Sequence, residues 1–114
     1  MKLARFEAGS GPRLGLVDGE EVVDLADGGI VYPTMLALIK DAEGWRAHVD
    51  AAAGGRRHAL EQVRLLAPIE RPGKYLAIGM NYAKHLEEAD KLGVKRSAHQ
   101  TWFNKQVSCI SGPF

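Results

Sequence analysis

The stretch RLGLVDGEEVVDL, residues 13–25, constrains this chain more than any other part of it. Two short apolar runs, 13–17 and 21–25, flank Asp18-Gly19. That dipeptide closes tight hairpins because glycine accepts a positive φ without steric cost. The stretch therefore reads as two antiparallel strands. Upstream, KLARFE alternates as a third strand should, with Leu3, Arg5 and Glu7 on one face and Ala4 and Phe6 on the other. The N-terminal part is expected to be a small antiparallel meander.

Helices follow. PTMLALIKDAEGW has helical spacing, with Pro33 in the first turn and Leu36, Leu38 and Ile39 on a common side. A second helical stretch covers 45–53, and Gly54-Gly55 breaks it. The cluster Arg56, Arg57 and His58 reads as a solvated turn. From Val63 onward VRLLAP and YLAIGM look like strands separated by Arg71-Pro72-Gly73, a turn signal that marks a module boundary. The expected organisation is a small domain over 1–70 and a second over 71–114. In the second, YAKHLEEADKLG reads as a helix with Leu86, Ala89 and Leu92 on one stripe and Gly93 as its C-cap. TWFNKQVSCI, 101–110, reads as another strand. A final strand carrying Val107 and Ile110 needs a pairing partner. The expectation is therefore the front portion of something longer, or one half of an obligate assembly.

Composition narrows the function classes. The chain has 114 residues, 46% apolar and 25% charged, the balance of a soluble globular protein. Fifteen Lys and Arg against fourteen Asp and Glu leave +1, so no basic field invites nucleic acid. No apolar stretch approaches the ~20 residues of a membrane span. The start, MKLARFEAG, lacks the apolar core of a signal peptide. Cys109 is the only cysteine, which excludes an internal disulfide and a thiolate zinc cluster. A cytoplasmic location is the simplest expectation.

Chemistry concentrates in IGMNYAKHLEEAD, 78–90. On a helix His85 and Glu88 share a face, and a carboxylate beside imidazole orients it as a general base acting on water. The competing reading is a wet helix face, with Lys84–Glu88 and Glu87–Lys91 as ordinary i,i+4 ion pairs. Lys105, in WFNKQ, is either a contact for a substrate carboxylate or enolate oxygen, or an edge-strand lysine that prevents mispairing. Asn81 sits where a helix cap belongs, and Tyr82 is either core or pocket wall. His48, His58 and His99 show no paired ligand spacing, so a metal site complete within these residues is not expected. GSGPRLG misses the phosphate-cradle spacing, no G-x-S-x-G elbow occurs, and Cys109 reads as a packed mid-strand thiol.

RPGKYLAIGMNYAKHLEEA followed by TWFNKQVSCISGPF resembles the opening of the fumarylacetoacetate hydrolase family catalytic domain. The matching positions are Gly79, Asn81 and Tyr82, then Ala83, His85 and Glu88, then Phe103, Lys105 and Gly112-Pro113. The resemblance implies an α+β chain: a small meander with helices, then the beginning of a mostly-β catalytic roll. It implies a metal-dependent hydrolase, with Mg²⁺ or Mn²⁺, cleaving C–C bonds of acylpyruvate or fumarylacetoacetate-like substrates in aromatic catabolism. His85 would be the general base on a mobile lid helix and Glu88 its orienting partner. Lys105 and Tyr82 would contact substrate, and a homodimer is expected. The family's metal ligands, an E-x-E pair and a later aspartate, would fall downstream of Phe114, and Met80 stands where some members carry arginine. These 114 residues alone are therefore expected to be catalytically silent. The alternatives are an isomerase, decarboxylase or hydratase of 2-oxo-diene-dioates from the same family, or a non-catalytic folding or dimerisation domain.

Overall fold

A computed structural model describes residues 2–9, 11–41, 44, 46–47, 49, 54–95 and 97–113. The fold is α+β, and it divides into two compact units, Met1–Glu70 with Ile110–Phe114, and Arg71–Cys109.

The first unit is built on a five-stranded antiparallel sheet. Its strands are β1 (Lys2–Glu7), β2 (Pro12–Asp18), β3 (Glu21–Asp24), β4 (Arg57–Ala59) and β5 (Arg64–Leu66), in the order β4-β3-β2-β1-β5. The meander forms as the alternation predicts. Asp18 pairs with Glu21, so the two loop residues are Gly19 and Glu20, with Gly19 at φ +60. Positive φ at the first loop position is what a two-residue hairpin compatible with strand twist requires.

The register sorts side chains onto two faces. Leu3 lies opposite Leu16, and Leu16 opposite Val23, so these three share a face. The core cluster Leu25, Met35, Leu38 and Val49 has Leu3, Leu14, Leu16, Ile30, Tyr32 and Ile69 packed against it. On the opposite face Phe6 is fully buried, and its ring meets that of His58 at 5.7 Å between centroids. Gly15 lies beneath that ring: a Cβ there would stand 2.9 Å from the Phe6 ring and 2.3 Å from Val22 Cγ2.

Asp24 is the one buried charged residue among those described. Its carboxylate is fully engaged, with the Arg13 guanidinium on Oδ2 and the backbone N–H groups of Ala26 (2.9 Å) and Asp27 (3.3 Å) donating to Oδ1. Hydrogen bonding to Asp24 raises the pKa of Arg13 against the opposing effect of burial. A buried ion survives when paired in this way, and losing one partner would leave the other stranded.

Helix α1 spans Met35–Lys40 and starts later than the sequence reading placed it. Thr34 is the N-cap, its Oγ1 accepting from Ala37 N–H, so Pro33 precedes the helix instead of sitting in its first turn. The buried positions are Met35 and Leu38, whereas Leu36 and Ile39 are exposed. Of the helix expected over 45–53, only Arg46, Ala47 and Val49 are among the described residues, with helical backbone; the remainder lies outside them.

One reading is corrected: Arg57–Ala59, taken as part of a solvated turn, is β4 and pairs with β3. The run VRLLAP forms the strand expected of it, with Arg64–Leu66 as β5 paired with β1. Residues 110–113 return to this unit, and Gly112 approaches so closely that a Cβ would lie 2.8 Å from the Leu65 carbonyl oxygen.

The second unit is smaller. Strands β6 (Leu76–Gly79) and β7 (Thr101–Asn104) pair antiparallel with Leu76 opposite Asn104 and Gly79 opposite Thr101, and helix α2 (Ala83–Lys91) connects them. The strand predicted over 101–110 thus ends at Asn104. Val107–Cys109 form a 3₁₀ turn, and Cys109 is exposed, not packed.

Candidate functional site

The candidate residues of the second unit are set by one junction. Strand β6 ends at Gly79, and Met80 then takes φ 55, the only positive value at a non-glycine residue among those described. Such backbone costs on the order of 1 kcal/mol and recurs at functional turns. The turn delivers the chain to Tyr82, the N-cap of α2, with extended backbone (φ -107, ψ 136) and no capping bond from a side chain. The cap expected at Asn81 therefore sits one residue later. At the far end Gly93 (φ +71) closes the helix: its N–H donates to Asp90 O at 3.0 Å and Val94 N–H to Ala89 O at 2.9 Å. This pair of bonds is the Schellman arrangement that glycine favours.

His85 and Glu88 both lie on α2, one turn apart, and both are exposed. Among the described residues no hydrogen bond or ion pair joins them to each other or to Lys105. The i,i+4 pairs Lys84–Glu88 and Glu87–Lys91 do not close either. Among the described residues the helix thus presents imidazole and carboxylate to solvent with no protein partner on their polar atoms. That leaves both able to engage a water or a small ligand.

Tyr82 is 76% exposed, so within this unit its ring is no core residue. Lys105 lies one position past the end of β7, not on the strand itself. Its backbone N–H donates to Tyr75 O at 2.8 Å, and its Nζ stands 5.8 Å from the centroid of the Tyr75 ring. Sequence reasoning passed over Tyr75. What identifies it is the register of the antiparallel β6–β7 pair, which sets Tyr75 opposite Lys105 one step beyond the Leu76–Asn104 pair.

No three His, Cys, Asp or Glu side chains among the described residues converge on a metal-sized site. His85 and Glu88 by themselves are too few to hold a cation.

Residues 1–68 match a family model described as Rv2993c-like, N-terminal. The chain is 35% identical to a maleylpyruvate hydrolase of Aquipseudomonas alcaligenes, over 77% of this chain and 32% of that protein. It is 34% identical to the mitochondrial oxaloacetate tautomerase FAHD2A of Bos taurus, over 100% of this chain and 38% of that one. Among solved structures it resembles the maleylpyruvate hydrolase of Sphingobium sp. SYK-6 in complex with manganese(II) and pyruvate. There the TM-score is 0.72 at 36% identity, covering 99% of this chain and 40% of that one. The chain therefore spans about a third to two-fifths of the length of these relatives.

Proposed function

Because the chain belongs to the fumarylacetoacetate hydrolase family, we propose that the protein is a hydrolase that cleaves a C–C bond in an acylpyruvate-type oxo acid, with residues 71–109 supplying its general base. The observation that supports this reading is the β6–turn–α2 junction, which presents His85 and Glu88 exposed on one helix, without a partner among the described residues.

In this reading His85 removes a proton from water, and Glu88 holds the imidazole in orientation. The water oxygen bonds to the acyl carbonyl carbon. The adjacent C–C bond then breaks, and its electron pair passes to the departing oxo-acid enolate. The proton taken by His85 is delivered to the enolate carbon that has lost the C–C bond, giving the oxo acid, while the acyl carbon leaves as a carboxylic acid. Lys105 pairs with a substrate carboxylate, and Tyr82 forms part of the pocket wall. A divalent cation, Mg²⁺ or Mn²⁺, is the cofactor the resemblance implies, and manganese accompanies pyruvate in the Sphingobium enzyme. The described residues do not assemble a site for it, so no step above passes through it. The reading includes a cytoplasmic homodimer.

Tautomerisation is the second reading, favoured by identity to the oxaloacetate tautomerase along the whole chain. The same dyad would then move a proton between carbon and oxygen with no bond between carbons broken.

The test joins this chain to the remaining length of the maleylpyruvate hydrolase it resembles and follows acetylpyruvate consumption and pyruvate release with Mn²⁺ added. His85→Ala is expected to lower kcat by about a hundredfold or more. The 114-residue chain alone is expected to release no pyruvate above background. An unchanged kcat in the His85→Ala chimera removes His85 from the base role. Interconversion of keto and enol oxaloacetate without pyruvate release from acetylpyruvate selects the second reading.

A further inference from the structure

The geometry around Lys105 points to a positioning residue that neither the motifs nor the dyad supplies. We propose that Tyr75 holds the Lys105 ammonium in place for an oxo-acid carboxylate, an inference that rests on the substrate-contact reading of Lys105.

Two independent contacts join the pair. The backbone bond from Lys105 N–H to Tyr75 O, at 2.8 Å, extends the β6–β7 pairing one residue beyond its last ladder pair and fixes the two Cα positions opposite each other. Residues opposite one another in an antiparallel pair project to the same side of the sheet. Alternation therefore places Tyr75, Ala77 and Gly79 on one face together with Thr101, Phe103 and Lys105. On that face the Lys105 Nζ stands 5.8 Å from the Tyr75 ring centroid, within the range in which a ring quadrupole attracts a cation.

The consequence concerns what Lys105 can bind. An unrestrained lysine side chain samples many rotamers and must give up that freedom when it meets an anion. A ring against one side of the ammonium restricts the search and leaves the remaining N–H donors directed away from it. A carboxylate approaching from the opposite side completes the shell. The ring does not compete for the anion, because its face is itself electron-rich. Tyrosine hydroxyl chemistry plays no part in this role, so phenylalanine should serve in its place and an aliphatic residue should not.

The experiment is ¹H–¹³C NMR of the chain with ¹³C-labelled lysine, the Lys105 ε-methylene assigned by its loss in Lys105→Arg. In the unsubstituted chain this signal is expected upfield of the other lysines and in NOE contact with the Tyr75 ring, a readout that does not depend on a Tyr75 variant folding. Tyr75→Leu is expected to return it to the position of a solvated lysine, while Tyr75→Phe retains the displacement. Pyruvate, added as the probe, is expected to move the signal and to bind about two- to fivefold more weakly to Tyr75→Leu than to the unsubstituted chain or Tyr75→Phe. A Lys105 signal without ring displacement or NOE in the unsubstituted chain overturns the positioning role. Equal pyruvate affinity across the three proteins does the same. A displaced signal that pyruvate leaves unmoved in every variant instead overturns the substrate-contact reading beneath it.

Discussion

At the scale of single residues, the closest packing in the first unit is set by the absence of a side chain. Gly15 sits between Phe6 and Val22, with Val23 O 3.0 Å from where a Cβ would stand. Phe6 and Val22 are themselves fully buried, so neither can swing into solvent to make room. Gly15→Ala is therefore expected to destabilise the chain by about 1–3 kcal/mol through overpacking, read as a lower denaturant midpoint at unchanged slope. Tyr32 carries a different kind of dependence. Its hydroxyl donates to Asp41 Oδ2 at 2.5 Å, and this bond, with a smaller effect of burial, raises the phenol pKa. A group whose pKa is raised on folding stabilises fully below its unfolded value, ~10 for tyrosine, and that stabilisation is lost as pH rises through the folded value. The stability advantage of the unsubstituted chain over Tyr32→Phe should therefore be constant below about pH 9 and shrink above pH ~10. Thermal melts of both proteins across that range check it, and an advantage that grows with alkaline pH would contradict the assignment.

Elements were legible in the sequence where their cause is local. The β1–β3 meander follows from alternation and from a glycine in a two-residue turn, both carried within 24 residues. The end of α2 was equally readable, because Gly93 supplies the one conformation a Schellman cap needs. Strand β4 was not, because Arg57-His58-Ala59 has no apolar run to betray it. It is a strand because β3 offers an edge, and bonds from Asp24 N–H to Arg56 O and from Leu60 N–H to Glu20 O extend the pairing beyond the strand itself. Strand β7 failed in the opposite direction. Val107 and Ile110 suggest that it runs on, but the ladder with β6 ends at Leu76 opposite Asn104, with one further backbone bond from Lys105 to Tyr75. The candidate site divides in the same way. The three-residue spacing of His85 and Glu88 was visible at once, since helical period is a local property. That their side chains make no ion pairs with Lys84 or other neighbours on α2, and that Lys105 faces Tyr75, depended on geometry that no spacing rule contains.

On the scale of the whole molecule, the buried apolar residues are distributed unevenly. Among the described residues, Phe6, Val22, Val23, Leu25, Met35, Leu38 and Val49 are buried apolar residues of the first unit, and Ala89 is the one in the second. Full burial of a large apolar side chain stabilises by roughly 1.5–3 kcal/mol, and alanine contributes little. The second unit meanwhile leaves Leu92 81%, Tyr82 76% and Trp102 59% exposed. An isolated two-stranded pairing has marginal stability in water, and α2, at nine residues, falls below the length at which helices persist unaided. The two units should consequently open at different free energies, as regions of unequal buried contact do. Native-state hydrogen exchange is the measurement. The amides of Leu16 and Val23, bonded within the five-stranded sheet, are expected to be protected at least about a hundredfold more strongly than those of β6 and β7. The contrast should hold at every pH where exchange follows opening equilibria. Equal protection in both units would mean that β6, α2 and β7 are held by interactions other than apolar burial. It would also mean that the helix carrying His85 and Glu88 is as rigid as the sheet, not an element free to close over a ligand.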